Sequence, residues 1–416
     1  MKESRSIEFK ETLTNTFLKT VSAYANYGTG QILFGITDEG TIKGVENPEQ
    51  ACLDIENRIN DSLDPVPEYV LAINEKTSVI TLKVFEGLHK PYLYKAKAYR
   101  RNDSATVAVD RLSLTRLILE GQNLSFEEVA ARRQDLQFTV LEEKLKAGLH
   151  LENVSLDTLK TLELYKEGKG FTVAGELFAD QNSFSGIDMV RFGDSISILL
   201  DRETYAGESI LKQYDDAICL YRRYYQYEQI SGSVREKVVT IPEEAFREAI
   251  ANALVHRTWD VDTNINVAMF PDKIEITSPG GLPQGVSEDE YIRGGISVLR
   301  NRVIGNIFFR LHLIERFGTG IRRIKEAYRN SEAKPVFSVF ENSLKITLPV
   351  MREQNGLTAD ENKIYKAVKK RSVPSSVIIE ETGFGKSKVI SVLRKLVAEG
   401  YVTSTGNGRG TRYSAV

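Results

Sequence analysis

The chain has 416 residues, too many for one compact core, so two to four domains are expected. Its 55 basic and 57 acidic residues leave a formal charge of −2, which excludes a surface that coats nucleic acid or membrane all over; any such contact must be local. Two distant cysteines, Cys52 and Cys219, exclude a thiolate zinc site, and the absence of a secretory signal or of ~18 consecutive apolar residues excludes a membrane span. A cytoplasmic protein with no membrane partner, its cysteines in the core, is the expectation.

In chain order, a helix is expected over Thr14 to Tyr27, then a strand at Gln31 to Ile36. Further strands follow at Val79 to Phe85 and Tyr92 to Arg101, where apolar and polar residues alternate, and a helix starts at Leu112. Ser125 to Glu128 has the spacing of a capping box that opens a helix. From there to about Gln229 helices and strands mix without a resolvable pattern. A helix over Glu243 to His256 precedes strands at Thr263 to Phe270 and Lys273 to Thr277 and the turn Ser278-Pro279-Gly280-Gly281. The polar run 352–356 reads as a linker. The fold class is therefore α+β multidomain, divided as 1–121, 125–351 and 356–416.

The last segment reads as helix, helix, turn, helix, hairpin, the order of a winged helix-turn-helix. Thr358 caps the first helix, Pro374-Ser375-Ser376 starts the second, and Gly383 and Gly385 serve the turn. The third helix, from Lys386, places Val389, Ile390, Leu393, Leu396 and Val397 inward. That leaves Lys386, Ser387, Lys388, Ser391 and Lys395 for duplex DNA, with Arg409 and Arg412 on the hairpin wing. Residues 356–416 hold 11 Lys/Arg against 5 Asp/Glu, an excess of 6 within a chain of net −2. A module used only for protein contacts would share the pattern. Gly385-Lys386-Ser387 is no phosphate-binding P-loop, because Glu380 stands where the motif needs glycine.

In Glu248-Ala249-Ile250-Ala251-Asn252-Ala253-Leu254-Val255-His256, the residues Glu248, Asn252 and His256 share one helix face. A carboxylate and a carboxamide one turn apart can hold Mg²⁺ beside a triphosphate. Gly280-Gly281 and Gly318-Thr319-Gly320 add glycine turns whose N–H groups can face phosphate oxygens. With these residues, 125–350 resembles the ATP-binding part of bacterial transcriptional regulators that carry a Bergerat-type ATPase fold, an α/β sandwich. The resemblance implies ATP and Mg as cofactors, Glu248 as the water-activating or metal-orienting carboxylate, and Asn252 as the metal ligand. It places Ser278, Gly280, Gly281, Gly318, Thr319 and Gly320 around the nucleotide. Ser278 stands where that fold usually has an aspartate on the adenine amino group. A retained scaffold that binds no nucleotide is the contrasting expectation.

At the start, Glu3, Glu8, Lys10 and Asp38, with Tyr99 to Ser104, resemble the Schlafen/AlbA-type α+β nucleic-acid-binding domain over about residues 1–120. By that resemblance Glu3, Glu8 and Asp38 match the carboxylates of Schlafen nucleases, which hold Mn or Mg and cut RNA or DNA. Lys10, two residues after Glu8, falls on the same side of a strand and steadies charge on phosphorus or neutralises Glu8. Arg5, Lys10, Lys95, Lys97, Arg100 and Arg101 are candidate phosphate contacts; Tyr92, Tyr94 and Tyr99 either stack on bases or pack the sheet. The combined expectation is a DNA-binding transcriptional regulator, a homodimer or higher homo-oligomer, whose ATPase-like middle controls conformation. A metal-dependent nuclease acting on RNA or DNA and a non-catalytic scaffold are the alternatives.

Overall fold

The computed structural model describes residues 2–149, 153–231, 234–283, 285–295, 298–315, 318–351, 357–369, 371–406, 408 and 411–416. They fall into two compact units, Met1–Phe126 and Glu127–Val416.

In the first unit, β1 (Ile7–Lys10), α1 (Phe17–Tyr27) and β2 (Gly30–Phe34) form a crossover, which makes β1 parallel to β2. After α2 (Pro48–Ser62), β3 (Tyr69–Asn74) and β4 (Val79–Val84) complete a sheet of order β1-β2-β4-β3. Ile32 and Phe34 pack with Phe17, Val21 and Tyr24 of α1, while Leu33 joins Phe9 and Val79 in a second cluster. Burial on both faces explains why β2 reads as an unbroken apolar run. The expected strand from Tyr92 to Arg101 is a correction: it breaks at Lys95 and Ala96, whose φ of 50° and 58° turn the chain back. What remains is a short pairing at Leu93–Tyr94 and a hairpin of β5 (Tyr99–Asn102) and β6 (Ala105–Ala108), before α3 (Arg111–Gly121). Tyr92, Tyr94 and Tyr99 are all buried, so they pack the core and do not present rings for stacking on bases.

Where the first unit ends and the second begins, a single 3-10 turn, Phe126–Glu128, stands in place of the expected helix. Glu127 is wholly buried and accepts the N–H groups of Val303 at 2.8 Å and Ile304 at 3.0 Å. It therefore caps a distant helix instead of opening its own. Helices α4 (Thr139–Leu149), α5 (Leu156–Thr161) and α6 (Val173–Phe178) lead to the strands β7 (Ile187–Phe192) and β8 (Leu199–Tyr205) and to α7 (Ile210–Tyr225). A hairpin of β9 (Gln226–Ser231) and β10 (Val234–Val239) precedes α8 (Glu243–His256). Then come β11 (Ile265–Met269), β12 (Lys273–Pro279), α9 (Glu288–Arg293), α10 (Arg302–Arg310), α11 (Gly320–Ala327), β13 (Val336–Val339) and β14 (Ser343–Pro349). The six-stranded sheet has the order β8-β7-β11-β12-β14-β13, with only β7 and β11 parallel. Its strands alternate: Ile274 and Ile276 point into the core, whereas Lys273 and Glu275 do not.

Cys52 is half-buried and packs against the edge of the first unit's core, whereas Cys219 is exposed and is no core residue. On α7, Cys219 lies on the solvent face with Lys212, Arg222 and Arg223, because Tyr214, Ala217 and Tyr221 take the inward face.

The C-terminal segment holds α12 (Ala359–Val368), a two-residue strand β15 (Val373–Pro374), α13 (Ser375–Thr382), α14 (Lys386–Ala398), β16 (Val402–Thr405) and β17 (Arg412–Ala415). Thr358 caps α12 with the reciprocal Glu361 bond of a capping box. The strands pair as β15-β17-β16 against the helices, around Leu357, Ile364, Ile378, Val389, Leu393 and Leu396. Gly383 ends α13 at φ 70°, the left-handed value that favours glycine. Among the described residues, no helix is long and apolar enough to cross a membrane.

Candidate functional site

One cleft in the second unit gathers residues that are far apart in sequence. Asn252, Ala253 and His256 of α8, Ser278 at the end of β12, Gly281, Gly294, and Gly318 and Gly320 before and at the start of α11 all line it. Its walls include Ile276, Val298, Ile321, Leu344 and Ile346. Expected residues from three separate segments thus meet at one place. Gly280 sits behind, where a Cβ would strike Thr258 Oγ1 at 2.3 Å. Thr319 is the N-cap of α11, with no side-chain bond to the helix, so its first N–H groups are left for another acceptor.

Asn252 Nδ2 donates to Glu248 Oε1 at 3.3 Å, as a one-turn spacing on α8 allows. Glu248 is buried, and desolvation holds its carboxyl above the usual range. Gly320 permits the contact of α11 with this pair: a Cβ there would lie 2.3 Å from Glu248 Oε1 and 2.7 Å from Asn252 Nδ2. Apolar walls, glycine turns and an uncapped helix start fit a nucleotide. The described residues contain no group of three His, Cys, Asp or Glu able to hold a metal. A Mg²⁺ here would rely on Asn252 and Glu248 together with phosphate oxygens and water. Ser278, buried, donates its hydroxyl proton to the Ala253 carbonyl at 3.2 Å, so it offers the cleft lone pairs.

On the C-terminal segment the cationic residues of α14 divide between two directions. Lys388 Nζ lies 2.7 Å from Asp360 and Lys395 Nζ 2.7 Å from Glu361, both on α12. These two lysines, seven residues apart, keep about two fifths of their side chains exposed while pairing with α12. Lys386, Ser387, Ile390, Ser391 and Arg394 line a shallow open groove instead. Arg394 was missed in the sequence, although its spacing of i+4 and i+8 from Ile390 and Lys386 could have found it. Arg412 is exposed and donates to the Ser372 carbonyl at 3.1 Å, while Arg409 lies outside the described residues. The β9–β10 hairpin also touches this segment. Tyr227 donates its hydroxyl to Asp360, its ring carries Lys388 Nζ at 5.1 Å, and Gln229 Nε2 reaches the Thr382 carbonyl at 3.4 Å.

The N-terminal carboxylates do not form one cluster. Glu8 is buried; its Oε2 accepts from Arg101 and from Thr20 Oγ1 at 2.7 Å, and its Oε1 pairs with Lys10 at 2.6 Å. Glu3 Oε1 accepts the Phe9 N–H at 2.8 Å, and Asp38 is exposed. Arg101 is likewise buried and Lys10 half-buried, so of the expected phosphate contacts Arg5, Lys95, Lys97 and Arg100 are the exposed ones.

The family model of the Schlafen AlbA_2 domain matches residues 3–110. The family model described as "Putative ATP-dependent DNA helicase recG C-terminal" matches residues 262–348, which spans β11 to β14 and the glycine turns but begins after α8. The chain therefore carries a Schlafen AlbA_2 domain and an ATPase-like domain. No curated protein matches the chain. Among solved structures, the crystal structure of the DIP2311 protein from Corynebacterium diphtheriae is 18% identical, with a TM-score of 0.49, over 99% of this chain and 92% of that one.

Proposed function

We propose that the protein is a DNA-binding transcriptional regulator. Its C-terminal segment acts as a winged helix, and a nucleotide in the ATPase-like cleft biases how that reading head is held. The observation that carries the reading is the open face of α14: Lys386, Ser387, Ser391 and Arg394 are solvent-facing, while Lys388 and Lys395, though part-exposed, also pair with α12. A helix of 13 residues presenting two cations and two hydroxyls fits a major groove and its flanking phosphates. ATP with Mg²⁺ would supply a triphosphate whose terminal group distinguishes two ligand states. Glu248 and Asn252 would orient it, and the glycine turns would cradle it through backbone N–H groups. Nucleotide shifts the protein only if it binds one conformation more tightly. A homodimer or higher homo-oligomer belongs to the same proposal, because paired heads on two half-sites would add the specificity that one short helix lacks.

A footprint of the full chain on genomic fragments, followed by salt-dependent titration of the protected site, tests this. Lys386→Ala and Arg394→Ala should each weaken binding about tenfold, and the lysine change should lower the salt slope by about one. Lys395→Ala should change little. Affinity unaltered in both Lys386→Ala and Arg394→Ala would remove α14 as the reading element.

A further inference from the structure

The sheet of the first unit ends on an open edge. Strand β3 closes the order β1-β2-β4-β3 and pairs with β4 alone, residue by residue from Tyr69 with Val84 to Asn74 with Val79, without a bulge. The Phe85 N–H donates to the Glu68 carbonyl at 3.0 Å, which sets the phase of the ladder. Even-numbered residues of β3 therefore turn their backbone groups toward β4, while Tyr69, Leu71 and Ile73 turn theirs outward, where no described residue takes them. Folded proteins protect such an edge with charge, proline or a bulge. The edge strand β8 of the second unit has Asp201, Arg202 and Glu203 and a break in its register. By contrast β3 reads Tyr-Val-Leu-Ala-Ile-Asn, six residues without a charge, with Val70 52% exposed and Ala72 exposed beside it. We propose that β3 is a contact between two copies of this chain, pairing antiparallel with its own image about a two-fold axis at Leu71.

Self-complementarity selects that occupant and that register. An axis at Leu71 sets Leu71 on its image and Tyr69 against the partner's Ile73, so the outward N–H and C=O groups of all three residues find partners. On the exposed face Val70 meets the partner's Ala72, and Glu68 meets the partner's Asn74, so no like charges stand opposite each other. Pro67 at one end and the turn at 75–78 at the other confine the pairing to this stretch. The same patch serves both copies, as an isologous contact requires, and the four-stranded sheet becomes one of eight strands. One short strand falls below the roughly 800 Å² per partner of a standard interface, so the dimer exchanges with monomer.

The inference stands on the strand alone, so the DNA footprint and the oligomer measurement fail separately. Sedimentation of the full chain over a dilution series should show a monomer–dimer equilibrium, and the Leu71 amide should gain protection from hydrogen exchange as concentration rises. Val70→Lys combined with Ala72→Lys sets lysine against lysine and should weaken the dimer about tenfold. Val70→Lys combined with Ala72→Glu sets each lysine against a glutamate and should restore it. Both pairs change exposed side chains, and thermal melts check that the variants fold. A chain that is monomeric at every concentration, its edge left for an extended segment of another protein, would overturn the proposal. So would a dimer that the lysine pair leaves unchanged, or one that the lysine–glutamate pair fails to recover.

Discussion

Arg101→Met is expected to destabilise the N-terminal unit by about 3–5 kcal/mol, because it strands a buried carboxylate. Glu8 and Arg101 are both buried, and the guanidinium also donates to Thr106 Oγ1 at 3.1 Å and to the Ser4 carbonyl at 3.2 Å. Methionine fills the apolar part of the space but supplies none of these bonds. Lys10 still reaches the other carboxylate oxygen, which favours the lower end of the range. Adding Glu8→Gln to Arg101→Met should recover part of the loss, since the amide needs no cation. Hydrogen exchange of the α1 amides measures the effect, and Trp259, the single tryptophan, lies in the second unit as an internal control. Unchanged exchange in α1 would show that the pair does not hold this unit together. The same arrangement bears on metal chemistry: a Glu8 already bound by two cations and a hydroxyl has little left to offer a Mn²⁺ or Mg²⁺ ion.

The second large effect is a pH dependence at Glu127. Desolvation raises its carboxyl from 4.5 to about 7, against the opposing pull of the Ile304 and Val303 N–H groups. A folded-state value above the unfolded one means that the native protein holds the proton more tightly. The contribution is complete below about pH 4.5 and is lost as pH rises through about 7. A difference of about 2.5 units corresponds to roughly 3 kcal/mol. Glu127→Gln keeps a carbonyl oxygen for the helix and cannot ionise, so its stability should fall less between pH 5 and 8 (~3 kcal/mol less at most, by the same conversion). Denaturant melts followed by Trp259 fluorescence at those two pH values give the comparison. Parallel pH curves for the two proteins would place the buried proton elsewhere.

How far the sequence reaches depends on the distance over which each feature is decided. Helix α8 and the C-terminal helices were legible because their caps, turn glycines and apolar spacing are local. Helix α2 was not anticipated: only Ile55 and Ile59 are buried along its fifteen residues, too few to mark a period. The region 125–229 stayed unreadable since its short elements are held by partners far along the chain, as Glu127 is by α10. In the cleft, Asn252, Ser278, Gly281, Gly318 and Gly320 were anticipated by residue type and turn chemistry. His256 was placed on the Asn252 face without a role, because no local pattern tells a ring turned to a cavity from one turned to a core. Lys388 and Lys395 show what spacing leaves out. Helical spacing divided α14 into two faces, yet the polar side also meets Asp360 and Glu361 on α12, whose partners only the tertiary fold discloses.

The hairpin β9–β10 has a mechanical consequence. Only Thr240, Ile241 and Pro242 separate its second strand from α8, and Tyr221 anchors that joint by donating its hydroxyl to the Ile241 carbonyl. So short and tethered a junction leaves little slack to absorb a tilt of α8. Under the proposed function, a ligand that seats itself against Asn252 and tilts that helix would pull on the hairpin that holds Tyr227 against Asp360 of α12 and Lys388 of α14.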